Sequence, residues 1–219
     1  MKGNINKKVL CITDRDLKIN TKEDLIKIKN FIPTHIIKLL HRKETKIESK
    51  RITLNKNIPE CRKYTLKKES KKIYYVKDNI VMVCQDTYGS TFEDELFFAN
   101  IENKEISIKL LKIALCKSLW KFIEDNELNF DKWKANIEEI KNSKTREKIK
   151  NMNSKYDTLI KLDNENKVVY EKLFFSNLFL SYAENKKGEV ALEILLNNDL
   201  INTLIIPSYI KEGIEWLMK

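Results

Sequence analysis

The stretch KVLCITDRDLKI, residues 8 to 19, joins an apolar run to two aspartates split by one arginine. Val9, Leu10, Cys11 and Ile12 make a run of the length of a buried strand that ends at polar residues. Residues two apart in a strand point to the same side, about 7 Å from one another along the chain. Asp14 and Asp16 so placed suit a hard divalent cation such as Mg2+. The carboxyl end of a strand is also where open α/β sheets hold their ligands. The competing reading is a polar turn, with Asp16 capping the segment that follows. Spacing alone leaves both readings open.

The rest of the chain sets the context for that stretch. With 219 residues, 42% hydrophobic and 34% charged, it has the composition of a globular protein with a core of its own. No apolar run reaches the length of a membrane span, and MKGNINKK leads into no secretory leader pattern, so a cytoplasmic location is expected. Cys11, Cys61, Cys84 and Cys116 are scattered without a CxxC pair, and only His35 and His41 could join them in a zinc site. Reduced, buried thiols are the expectation. Net charge is +10, and from Arg42 to Lys72 basic residues outnumber acidic ones about three to one. Such a segment attracts phosphate backbones, although a chain rich in Lys, Ile and Asn also fits an AT-rich coding bias.

Periodicity places the elements. NTKEDLIKIKNFI, 20 to 32, reads as a helix capped by Asn20 or Thr21, with Leu25, Ile28 and Ile32 on one face and Pro33 ending it. Residues 42 to 72 read as a basic surface insertion, with RITL a candidate short strand. KKIYYVKDNIVMVCQ, 71 to 85, carries two β-rich runs around KDN and predicts a hairpin. The wholly apolar IVMVC suits a strand covered on both faces. STFEDELFFAN opens a helix near residue 90. ISIKLLKIALCKSLWKFIEDN then reads as one amphipathic segment with Ile108, Leu111, Leu115, Leu119 and Phe122 on a shared face. Residues 131 to 150 predict a more polar helix, 168 to 198 two helices meeting near Gly188, and Pro207 the start of a last short helix. The fold class expected is α/β, a small sheet with a mainly helical C-terminal extension. The expected division is a core over 1–100, including the insertion, and an extension over 101–219.

Two further places carry candidate chemistry. Ser90 and Glu93 have capping-box spacing, so Glu93 reads either as a cap or as a third carboxylate at a helix start, with Asp94 and Glu95 next to it. Lys187, ahead of Gly188 and an apolar helix face, reads either as a solvated lysine or as an ammonium near a scissile phosphate. No P-loop, GxGxxG, HExxH or GxSxG sequence is present, so no ATP site is expected in this chain.

Taken in order, VLCITDRD, VMVCQDTYGSTFEDELFFAN, NKKGEVALEILL and IPSYIKEGIEWL resemble the C-terminal Toprim part of the overcoming-lysogenization-defect (OLD) family of ATP-dependent endonucleases. In that family a strand ends in TDxD, a Thr-Leu/Phe-Glu opens a later helix, a Lys-Gly-Asp/Glu-x-Ala helix follows, and a Pro-x-Tyr-Ile motif ending in Trp lies near the end. The resemblance runs from about residue 8 to 217. It implies a partial Toprim-like, Rossmann-type sheet. It also implies Asp14, Asp16 and Glu93 as ligands of Mg2+ or Mn2+, Thr91 beside them, and Lys187 as the charge stabiliser on the attacked phosphate. The implied reaction is metal-dependent hydrolysis of DNA phosphodiester bonds, in phage defence or DNA processing.

The departures shape the rest of the expectation. About seven residues precede the TDRD strand, where the family has an earlier strand ending in glutamate. That glutamate has no candidate here, and the family's ABC-type ATPase is not in this sequence. The chain is therefore expected to be the C-terminal piece of such a protein, partnered by DNA, by an ABC-type ATPase chain or domain, and open to homo-oligomer formation. Two other readings stand beside the nuclease: a non-catalytic DNA- or ATPase-binding remnant of the family, and a basic nucleic-acid-binding protein without a metal site.

Overall fold

The computed structural model describes residues 8–12, 14, 18–28, 51–52, 61–62, 73–77, 80–83, 85 and 87–218. The chain is mostly helical and divides into two compact units, Met1–Phe92 with Ile206–Lys219, and Glu93–Ile205.

In the first unit β1 (Val9–Ile12) pairs in parallel with β5 (Ile80–Val83), which pairs antiparallel with β4 (Ile73–Lys77). The sheet order is β1-β5-β4, so the strand expected to be covered on both faces is the central one. The two β-rich runs within 71–85 form the antiparallel pair β4–β5, and the KDN residues Asp78 and Asn79 between them lie outside the described residues. Short β2 (Arg51–Ile52) and β3 (Cys61–Arg62) pair antiparallel, and RITL supplies the first of them. Among the described residues the strands are few and short, so a Rossmann-type sheet is not supported and helix dominates the class instead. Helix α1 spans Lys22–Ile28. The backbone amides of Asn20 and Thr21 donate to Asp24 Oδ2 at 3.0 Å each, while Asp24 N–H donates to Thr21 Oγ1 at 3.3 Å. Thr21 is thus the cap, in a reciprocal box closed by an aspartate. Pro33, His35, His41, Cys84 and the continuation of this helix to Ile32 lie outside the described residues.

The last helix, Ser208–Met218, lies against β1 and β5. Tyr209 and Gly213, one turn apart, are its buried positions. Val83 and Tyr209 form the centre of a small core that Leu10, Ile210 and Trp216 flank. A Cβ at Gly213 would stand 3.2 Å from Val83 Cγ1 and 2.9 Å from Leu10 Cδ1, so the absent side chain sets how closely helix and sheet approach. Lys8 Nζ sits 5.5 Å from the Trp216 ring centroid and donates to the Trp216 carbonyl at 3.4 Å, fastening the start of β1 to the end of this helix.

The second unit is helical. It comprises α2 (Phe92–Asn100, all but its first residue), α3 (Lys104–Ala114), α4 (Trp120–Asn126), α5 (Phe130–Asn136), α6 (Ser143–Leu162), α7 (Lys167–Ala183), α8 (Lys187–Leu196) and α9 (Asn198–Thr203); the C-terminal helix of the first unit is α10. Helix α7 is buried on most of its circumference, as its near-continuous apolar sequence requires. Around it Phe174 meets Phe130, Trp133, Tyr156 and Phe175 edge-on, and Phe97 stacks on Phe179 at 5.2 Å. Asparagine side chains at 103, 129, 142 and 197 accept from backbone amides three residues on, capping α3, α5, α6 and α9.

The segment read as one amphipathic helix is broken. Helix α3 ends before Leu115, a 3-10 turn covers Lys117–Leu119, and α4 begins at Trp120. The Trp120 indole donates to the Lys112 carbonyl at 2.9 Å, satisfying an acceptor that the helix end leaves open. The break resets the frame. Ile106, Leu110, Leu111 and Ala114 face the core from α3 and Ile108 is only half-buried, while Leu115, Leu119 and Phe122 are buried from the turn onward. The thiol expectation also needs correcting, because Cys116 is exposed at this break and Cys11 is half-buried. The region 131–150 is likewise split, by a turn at Ile137–Glu139 and the Asn142 cap. The two helices expected over 168–198 meet at Glu184–Lys186, just ahead of Gly188. No helix among the described residues is long and apolar enough to cross a membrane.

Candidate active site

Asp14 lies two residues past the end of β1, and Gln85 two residues past the end of β5. The parallel register pairs Ile12 with Val83, so the same spacing brings Asp14 and Gln85 side by side at the carboxyl ends of the two strands. Gln85 Nε2 donates to Asp14 Oδ1 at 2.7 Å and stands 3.4 Å from Tyr209 Oη. Gln85 is 2% exposed and Tyr209 fully buried, whereas Asp14 is half-buried. A fixed amide on a buried phenol therefore orients one carboxylate oxygen. Nothing in the sequence alone singles out Gln85. Its signal was the matching distance from the strand end, which has meaning only once the β1–β5 register is known. The tyrosine of the terminal Pro-x-Tyr-Ile motif acquires a physical role here, since it backs the glutamine that holds Asp14.

Asp16 lies outside the described residues. Thr91 immediately precedes α2 and is half-buried. Glu93, in the first turn of α2, points its Oε1 at Lys187 Nζ, 2.8 Å away. Its side chain is 16% exposed and that of Lys187 50%. Lys187 is the first residue of α8, directly after the 3-10 turn that redirects the chain from α7. Two residues chosen separately from sequence are thus brought into contact within the second unit, while the Asp14–Gln85–Tyr209 chain belongs to the first.

The neighbours Asp94 and Glu95 are buried, at 3% and 2% exposure. Asp94 belongs to the interior of the helical unit. Its carbonyl accepts from Ser176 Oγ at 2.8 Å, and its charge adds to burial in pushing the Tyr156 phenol above its ordinary range. Gly188 has no neighbour within 4 Å of where a Cβ would stand, so packing does not explain a glycine there.

Carboxylate oxygens at Asp14 and Glu93 are the hard donors that Mg2+ or Mn2+ takes. Among the described residues no group of three His, Cys, Asp or Glu side chains stands close enough to hold a metal, and the remaining expected ligand is Asp16. The chain matches no family model, no curated protein and no solved structure.

Proposed function

We propose that this chain is the Toprim nuclease part of an OLD-like ATP-dependent endonuclease, hydrolysing DNA phosphodiester bonds with Mg2+ or Mn2+ in the cytoplasm. The observation that carries the reading is the contact of Glu93 with Lys187. Four motifs in order suggested those two residues for one site, and nothing in helix periodicity alone requires them to meet. The orientation of Asp14 by Gln85 at the ends of two parallel strands adds to it. On this reading the three short strands are the remaining part of a Rossmann-type Toprim sheet.

Asp14, Asp16 and Glu93 would hold the metal, which when bound supplies a Lewis acid and an activated water. The chain's own contribution is positional and electrostatic. Gln85 fixes one oxygen of Asp14, leaving the other for a ligand. Lys187, half open to solvent, can exchange its contact with Glu93 for a phosphate oxygen and stabilise the charge that develops there. The strand β1 has one strand neighbour among the described residues, and Val9 and Ile12 on it are 40% and 51% exposed. An edge of this kind accepts a further strand. We assign it to the ABC-type ATPase chain or domain of such an endonuclease, with a homo-oligomer as the other assembly to test.

The same ion pair also favours a second reading, the non-catalytic DNA- or ATPase-binding remnant, because a glutamate committed to a lysine is withdrawn from a metal. A cleavage assay on supercoiled and linear DNA with Mn2+ separates the two. Metal-dependent cleavage by the wild type, lost in Asp14→Ala, is expected for the nuclease, alone or after addition of the ABC-type ATPase partner. No cleavage under either condition, with DNA binding intact, overturns the nuclease.

A further inference from the structure

The helical unit carries a second feature, between α6 and the end of α7. A cleft of about 270 Å3 is lined by Lys144, Thr145 and Lys148 of α6, by Ser181 and Tyr182 of α7, and by Asn185. Two cations, hydroxyls and an amide line it, and no carboxylate does. Lys148 is held in place there: Nζ donates to the Ser181 carbonyl at 2.8 Å and sits 4.1 Å from the Tyr182 ring centroid. One bond and one ring contact leave part of a three-donor ammonium for a ligand. Lys144 is exposed one turn earlier on the same helix and lines the same cleft. Tyr182 lines the cleft with its ring under Lys148, and its buried hydroxyl lies beside Thr145.

We infer that this cleft binds a phosphate group, with Lys144 and Lys148 as its charged ligands and Thr145 and Asn185 as neutral hydrogen-bond partners. Partial burial holds the Lys148 ammonium below its ordinary range, with the Glu184 carboxylate acting in the opposite direction. An arriving anion adds to the effect of Glu184 and favours the charged form. The phosphate can come from a nucleic-acid backbone or from free phosphate, and the chemistry of recognition is the same. The inference stands whether or not the chain cleaves DNA.

The test uses the full chain in excess chelator, so that no metal contributes. One arm measures the melting temperature in potassium phosphate against potassium chloride at equal ionic strength. The other measures the affinity for fluorescent single-stranded and duplex oligonucleotides. Lys144→Gln with Lys148→Gln is compared with a charge-matched control on the same helix, Lys150→Gln with Lys161→Gln. The expected result is a loss of about tenfold in affinity, the size of one charge-assisted hydrogen bond, in the cleft variant beyond that of the control. A response confined to the oligonucleotide arm identifies a backbone phosphate; one confined to the melting arm identifies free phosphate. Equal losses in cleft variant and control, or no response in either arm, overturn the inference. Should the double variant fail to fold, Lys144→Gln alone leaves the Lys148–Ser181 and Lys148–Tyr182 contacts in place and is read in the same two arms against Lys150→Gln.

Discussion

The ammonium of Lys187 stands 2.8 Å from Glu93 Oε1 with half of the lysine side chain open to solvent, so the pair adds little to folding. Ion pairs with an exposed partner contribute roughly 0–1 kcal/mol. Lys187→Ala is therefore expected to move the denaturation midpoint slightly while lowering cleavage by about a hundredfold or more, the usual cost of a lost group that stabilises developing charge. Matched losses of stability and activity would assign the pair to structure instead. Gln85 behaves in the opposite way. It is buried between Asp14 and Tyr209, and Gln85→Leu leaves their oxygens without its donor, which costs about 1–3 kcal/mol in a urea melt. Tyr156 sets a pH dependence. Burial first, and the Asp94 charge second, raise its phenol in the folded chain, and its hydroxyl accepts from Asn177 Nδ2 at 2.8 Å. The folded state thus keeps a proton that the unfolded chain gives up near pH 10. Stability is unaffected below that pH and falls above it, by roughly 1.4 kcal/mol per pH unit for this group. Denaturation followed from pH 8 to 11 should show that fall, and Tyr156→Phe should reduce it; an unchanged slope would contradict the assignment. At this scale motif order names Asp14, Glu93 and Lys187 as candidates. Gln85 is not among them, because its role arises from strand register.

Helix α10 and helix α8 each carry a glycine, and their surroundings give opposite expectations. Gly213 faces β1 and β5 with Val83 and Leu10 already within 3.2 Å of a built Cβ. Alanine there trades better helix propensity, about 1 kcal/mol, against crowding that the Leu10 methyls can partly absorb. Leucine cannot be absorbed in that way, and Gly213→Leu is expected to destabilise by about 1–3 kcal/mol. Gly188 meets open space, so Gly188→Ala should stabilise by roughly 0.4–1 kcal/mol through the unfolded chain. Cleavage that falls in Gly188→Ala while its melting temperature rises would mark the open space as room for substrate; unchanged cleavage would leave the glycine without a role. Elements were legible where local signals agree: the Thr21 cap, the β4–β5 pair, the α7–α8 junction and the helix after Pro207. The α3–α4 break was hidden because Leu115, Leu119 and Phe122 continue a helical period across it. Those side chains are buried from a turn instead, and the Trp120–Lys112 bond that closes α3 is tertiary information. The Rossmann-type sheet goes further than the three strands described, because an apolar run of four residues predicts a strand but not how many partners it finds.

For the molecule as a whole, net charge and metal dependence separate the readings that composition left open. A chain carrying +10 charge binds polyanions through counterion release, so affinity for any duplex should fall steeply with salt, by about 0.9 logarithmic units per decade of salt for each phosphate neutralised. That dependence is common to a nuclease and to a basic binding protein, and it cannot distinguish them. Metal can. A cation that binds only the folded state stabilises it by RT ln(1 + [L]/Kd), about 1.4 kcal/mol at ten times Kd. The wild-type chain in Mn2+, with ionic strength held constant by a monovalent salt, should melt at a higher temperature than in that salt alone, and Asp14→Ala should remove the difference. Salt-dependent DNA binding with no Mn2+ effect on melting would leave the basic binding protein standing. A Mn2+ effect that survives Asp14→Ala would move the metal away from the end of β1. A shift abolished by Asp14→Ala but preserved in Lys187→Ala would assign the carboxylate to holding the cation and the lysine to the phosphate, which is the division of labour that the two contacts in the two units suggest.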